Sequence, residues 1–155
     1  MIQVGDPAPG FTATDCQGQA LSLASLRGRR VVLFFFPRAF TIGCTIETRA
    51  FRDNHALIQK LGAELVGVSV DSVRTQCAFA EQENIHFPLL GDEARTLSTA
   101  YDVLWPVLRV DRRVTYIIDP HGIIETVIRH EMRVYKHLDD VLRYLREHPL
   151  PAAST

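Results

Sequence analysis

Val31-Val32-Leu33-Phe34-Phe35-Phe36 is an unbroken apolar run that stops at Pro37. A run of this length, rich in β-branched and aromatic residues, reads as a strand buried on both faces. Proline has no N–H to give a ladder, so Pro37 marks the end of that strand. From Cys44 onward the period changes: Ala50, Phe51, Asn54, Leu57, Ile58 and Leu61 share one helical face, and Gly62 supplies the stop. A buried strand therefore hands over to a helix between Pro37 and Cys44. With the strand–helix–strand–helix order that follows and the closing hairpin and helix, this unit implies an α/β sandwich.

The remaining elements are placed around this unit. Phe11–Thr14 and Ala20–Leu23 flank a turn at Gly18 and read as an N-terminal β-hairpin. Glu64–Val70 is a second apolar strand, and Asp71-Ser72 offers a cap for a helix over Val73–Glu83. Ile85–Leu90 is extended, and Asp92 caps a short helix reaching Ala100. Tyr101–Arg112 shows no period and reads as a loop. Val114–Ile118, the turn Asp119-Pro120-His121-Gly122 and Ile123–Arg129 form an antiparallel pair. Leu138, Val141, Leu142 and Leu145 stripe a last helix over Tyr135–Glu147. The whole chain, 1–155, reads as one domain, with 149–155 a frayed tail.

Composition excludes several functions. With 17 Lys and Arg against 18 Asp and Glu, there is no electrostatic case for nucleic acid or an anionic membrane. The N-terminus lacks the basic and apolar regions of a signal peptide, and no apolar segment is long enough to span a bilayer. Cys16, Cys44 and Cys77 are odd in number and widely spaced, unlike a secreted disulfide framework, so a reducing cytoplasm is the expected setting. The six histidines, most of them expected at the surface, show no ligand spacing with the cysteines or each other. No metal and no cofactor are expected.

Cys44 stands where binding sites gather in α/β folds, at a strand's C-terminal end and a helix's start. With Thr41 as N-cap, its hydroxyl accepts the Cys44 N–H and lies near the sulfur. Free N–H groups and the positive end of the helix dipole favour a thiolate there. The bland alternative is a small buried hydrophobe, the usual fate of a free cysteine.

Pro37-x-x-x-Thr41-x-x-Cys44 resembles the signature of the peroxiredoxins, thiol peroxidases on a thioredoxin-like scaffold. The flanks are similar too: Val4-Gly5-Asp6-x-Ala8-Pro9-x-Phe11, Gly43-Cys44-Thr45-x-Glu47, Phe51-Arg52-Asp53 and Val68-Ser69-x-Asp71-Ser72. Phe87-Pro88-Leu89-Leu90-x-Asp92 and Arg113-x-Thr115-Tyr116-Ile117-Ile118-Asp119 follow in the same order. The likeness covers nearly the whole chain and is greatest to the Q-type branch, the bacterioferritin comigratory proteins. It implies a thioredoxin-like three-layer α/β/α sandwich with an N-terminal hairpin. Cys44 would be the peroxidatic thiolate, oxidised by hydrogen peroxide or an alkyl hydroperoxide to a sulfenic acid. Thr41 would hydrogen-bond sulfur and peroxide, Arg113 would stabilise the charge, and Pro37 would shield the thiolate. The backbone N–H groups of Gly43 and Cys44 would face the substrate, and Glu47 would organise the first helical turn.

The sequence departs from the family at two positions. Arg49 occupies the place of the usual local resolving cysteine, and Ile42 that of a proline. Cys77, on the next helix, is the remaining resolving candidate, and Cys16 reads as an incidental exposed thiol. The expected cycle closes through a Cys44–Cys77 disulfide and a thioredoxin-like reductant. A one-cysteine cycle reduced by a low-molecular-weight thiol is the alternative. A thiol–disulfide oxidoreductase would need Cys-x-x-Cys, but Thr41 fills the first slot. A non-enzymatic module would leave Thr41, Cys44 and Arg113 without a joint purpose. A monomer is expected, with the Trp105–Leu108 loop able to support a weak dimer.

Overall fold

The computed structural model describes residues 2–150, so most of the expected frayed tail, 151–155, lies outside the described residues. The elements run β1 (Thr12–Thr14), β2 (Ala20–Ser22), a short 3-10 helix (Ala24–Leu26), β3 (Arg30–Phe35), α1 (Ile42–Asp53) and α2 (His55–Lys60). They continue as β4 (Ala63–Ser69), α3 (Val73–Gln82), β5 (Leu89–Gly91), α4 (Thr96–Ala100), β6 (Val114–Ile118), β7 (Ile124–Arg129) and α5 (Tyr135–Glu147). β1 and β2 pair as the expected hairpin. The other strands form one sheet in the order β5-β4-β3-β6-β7. β3, β4 and β5 are mutually parallel, β6 runs antiparallel to β3, and β7 runs antiparallel to β6.

Strand β3 is buried from end to end because its alternate residues supply two cores. Val32, Phe34 and Phe36 pack with Cys44, Phe51, Ile58, Phe79, Val141 and Leu145, under the face covered by α1, α2, α3 and α5. Val31, Leu33 and Phe35 pack with Val66, Tyr101, Tyr116 and Leu97, under the hairpin and α4. The strand period of two thus divides one hydrophobic run between two layers.

Local chemistry explains the boundaries. Ser72 caps α3 by accepting the Thr75 N–H at 3.1 Å. The N-cap position of α4 is Arg95, in left-handed geometry, and not Asp92 as expected; Asp92 still accepts the N–H groups of Leu97 and Ser98 in the first turn at 3.1 and 2.6 Å. The single helix expected from Cys44 to Leu61 is instead two. Asn54 leaves helical geometry and its side chain donates to the Ala50 carbonyl at 2.9 Å, taking an acceptor the ladder would use. Of the six histidines only His137, on α5, is fully buried.

Candidate active site

Strand β3 delivers the chain to the site, and Phe36 still donates to the Val68 carbonyl at 3.0 Å. After Pro37 the loop is fixed by Asp71, whose Oδ2 accepts the Ala39 N–H at 2.7 Å and the Ser69 hydroxyl at 2.6 Å. Phe40 turns the backbone through the left-handed region, φ 66°, and its ring meets Phe79 of α3 at 5.2 Å. A bulky residue with positive φ is unusual and persists only where surrounding structure holds it. The turn sets Thr41 extended as N-cap and starts α1 at Ile42.

The expected side-chain cap is not formed. The Thr41 hydroxyl donates to the Arg38 carbonyl at 2.9 Å instead of accepting the Cys44 N–H. The first helical bond, Thr45 N–H to the Thr41 carbonyl, leaves the N–H groups of Ile42, Gly43 and Cys44 ahead of the intrahelical ladder.

Cys44 is wholly buried and is the only free cysteine among the described residues. Arg113, at the edge of β6, directs Nη2 to the Cys44 sulfur at 3.5 Å and Nη1 to Glu47 Oε1 at 2.8 Å. Glycine at position 43 leaves room for this close approach. A Cβ there would stand 3.2 Å from Arg113 Nη2 and 3.7 Å from a Val134 methyl. Pro37 is half-buried at the strand end.

Behind the guanidinium lies a buried polar chain. Burial pushes the Glu47 carboxyl up from 4.5 to about 7, against the lowering effect of Arg113. Its Oε2 has no hydrogen-bond partner and lies 3.8 Å from His137 Nδ1. Burial pushes His137 down to about 4, so the ring is neutral at ordinary pH. Nε2–H then donates to the His130 carbonyl at 2.9 Å, which leaves Nδ1 to accept the Thr115 hydroxyl at 2.8 Å. Burial opposes the Arg113 charge, but Glu47 and Cys44 outweigh it and hold the guanidinium above its ordinary value. Among the described residues no group of three or more His, Cys, Asp and Glu could hold a metal ion.

The other cysteines behave differently from expectation. Cys16, expected to be an incidental exposed thiol, is disulfide-bonded to Cys77 with their Cα atoms 5.5 Å apart. The reason is tertiary: the hairpin turn folds against α3 and the Leu89 segment, where a cleft of about 240 Å³ borders both sulfurs. Arg49, in the slot of the missing local cysteine, pairs with Glu83 at 2.5 Å and ties α1 to the end of α3.

Thus the structure brings Gly43, Cys44, Glu47 and Arg113 together and sets Thr41 and Pro37 on the loop that leads to them. The sequence motifs contain Asp71 and Thr115 but assign them no part in the site: Asp71 holds the loop after Pro37, and Thr115, two residues after Arg113 on one strand face, bonds the buried His137.

Residues 4–127 match the family model described as AhpC/TSA family. A putative peroxiredoxin of Synechocystis is 37% identical over 94% of this chain and 78% of its own length. Peroxiredoxin Bcp of Escherichia coli is 33% identical over 95% of this chain and 97% of its own. The crystal structure of peroxidoxin BcpB from Mycobacterium tuberculosis superposes with a TM-score of 0.87 and 34% identity, covering 95% of this chain and 98% of that one. Among the described residues no helix is long and apolar enough to cross a membrane.

Proposed function

The chain belongs to the AhpC/TSA family and is a thiol peroxidase of the peroxiredoxin type, and we propose from that premise that Cys44 is its peroxidatic sulfur. The observation that carries the reading is the Arg113 guanidinium, 3.5 Å from a buried sulfur at a helix N-terminus. The positive charge stabilises the thiolate and the negative charge that develops along the breaking O–O bond. The thiolate attacks one peroxide oxygen, the O–O bond breaks, and the other oxygen leaves as hydroxide or alkoxide and takes a proton. Cys44 becomes a sulfenic acid.

The neighbours have supporting roles. The exposed Thr41 hydroxyl donates its proton to the Arg38 carbonyl, so its oxygen is left to accept the peroxide O–H. The Gly43 and Cys44 N–H groups line the same helix end, Pro37 keeps water from the sulfur, and Glu47 orients Arg113. Ile42 is largely exposed at the start of α1, an apolar side chain that suits alkyl hydroperoxides as well as hydrogen peroxide. Cys77 resolves the sulfenic acid, and a thioredoxin-like dithiol recycles the protein as a monomer in the cytoplasm. Reduction of the sulfenic acid by an external small thiol is the competing cycle. Peroxide consumption with a thioredoxin recycling system tests the assignment: Cys44→Ser abolishes turnover, and retention of wild-type turnover by that variant refutes it.

A further inference from the structure

We propose that Cys16 is a third catalytic cysteine: it takes over Cys77 from Cys44, so that a Cys16–Cys77 disulfide, not a Cys44–Cys77 bond, is what the external dithiol reduces. The inference rests on the reading of Cys44 as the peroxidatic sulfur.

The observed state fits no simple two-cysteine cycle. A reduced protein would hold three thiols, and an oxidised one would hold Cys44 bonded to Cys77. Here Cys16 and Cys77 are bonded while Cys44 is free, buried and in place beside Arg113. This is the composition expected after resolution, when the disulfide has moved away and the peroxide site is restored.

Helix geometry supplies the driving force. Phe79 turns toward the Cys44 loop, with its ring 5.2 Å from Phe40 and 6.2 Å from Phe36. At about 100° per residue, Cys77 lies roughly 160° around α3 from Phe79, on the opposite side. A Cys44–Cys77 bond, which needs a short Cα separation, therefore forms only when both α1 and α3 give up local structure. Cys16 reaches Cys77 with both helices intact, because the Cα separation is 5.5 Å in the folded arrangement. Exchange onto Cys16 lets both helices re-form. The Ser72 cap on α3 and the Arg49–Glu83 pair between the helices are recovered at the same time.

The hairpin holds Cys16 ready. Asp15 Oδ1 accepts the N–H groups of Gln17 and Gln19, each at 2.9 Å, which fixes the turn around the cysteine. Both bonded cysteines are partly exposed beside the cleft lined by Gln17, Glu81 and Pro88, so an external thiolate can reach them.

The steps balance. The Cys77 thiol attacks the Cys44 sulfenic acid, forming an S–S bond and releasing water. The Cys16 thiolate attacks the Cys77 sulfur, the Cys44–Cys77 bond breaks, and Cys44 leaves as a thiolate. An external dithiol then reduces Cys16–Cys77 and is itself oxidised to a disulfide.

The test starts from dithiothreitol-reduced, desalted protein given one equivalent of hydrogen peroxide, quenched with N-ethylmaleimide at intervals and mapped by mass spectrometry. Wild type passes through Cys44–Cys77 and ends as Cys16–Cys77 with Cys44 alkylated. Cys16→Ser halts at Cys44–Cys77. The proposal is overturned if wild type ends as Cys44–Cys77 or as a sulfenic acid with Cys16 still alkylated. It is equally overturned if Cys16–Cys77 forms at the same rate in Cys44→Ser, which would mark a static staple. Should Cys16→Ser fail to fold, the wild-type time course decides alone. Failure of the peroxidatic reading is distinct: peroxide would then be consumed without Cys44.

Discussion

Glu47→Gln isolates the buried carboxyl behind Arg113. Glutamine keeps an oxygen toward Arg113 Nη1, where Oε1 now accepts at 2.8 Å, and removes only the titration. Burial raises the folded-state value from 4.5 to about 7. The folded protein therefore holds the proton more tightly than the unfolded chain, and stability is lost as pH rises through that window. At about 1.4 kcal/mol per pH unit, the loss between pH 4 and pH 8 amounts to about 3 kcal/mol. The glutamine variant lacks this slope. Urea titrations of both proteins at pH 4, 5, 6, 7 and 8 should give a stability difference that moves by about 3 kcal/mol in favour of the variant, then stays constant. The peroxide rate has a matching signature. Below pH 7 Glu47 is neutral and Arg113 faces Cys44 with its charge uncompensated, so the variant should lack the wild-type change in rate between pH 6 and pH 8. Stability curves that run parallel across the range would refute a raised Glu47.

Three further outcomes follow from single contacts. Gly43→Ala gains about 1 kcal/mol of helix propensity yet sets a methyl 3.2 Å from Arg113 Nη2, so stability should hold while the stopped-flow peroxide rate falls. Arg113→Lys cannot reach Cys44 and Glu47 together as the guanidinium fork does, and its second-order rate should drop by about 100-fold. Asp111 is fully buried, and burial pushes it from 3.8 to about 8 against the lowering effect of the neighbouring Ser98 hydroxyl. Asp111→Asn should therefore remove a second loss of stability with rising pH and be the more stable protein at pH 8 by a few kcal/mol, measured by thermal unfolding.

The β3–α1 unit was legible because Pro37 and the change of period are local, and the sheet's alternating burial follows from the same run. Arg113 could be matched to Cys44 across nearly seventy residues only because the Arg113-x-Thr115-Tyr116 motif resembles that of the peroxiredoxins. What escaped was tertiary. The Thr41 cap failed because the Arg38 carbonyl, brought close by the Phe40 turn, captured the hydroxyl. Asn54 broke the long helix through a side-chain bond that competes with the ladder. His137 lies on the same helical stretch as surface residues, and only the Thr115 hydroxyl and His130 carbonyl make its burial tolerable. The Cys16–Cys77 bond joins residues 61 apart, and nothing in the spacing of three cysteines selects that pair.

In the proposed mechanism the Cys44 sulfur is the atom that peroxide oxidises. This is tested most directly by mapping the sulfenic acid in the Cys16→Ser/Cys77→Ser double variant, where neither other cysteine can capture it. Treated with one equivalent of hydrogen peroxide in the presence of dimedone, the protein should carry one dimedone adduct, on Cys44. Unmodified Cys44 with the peroxide left unconsumed would contradict the account.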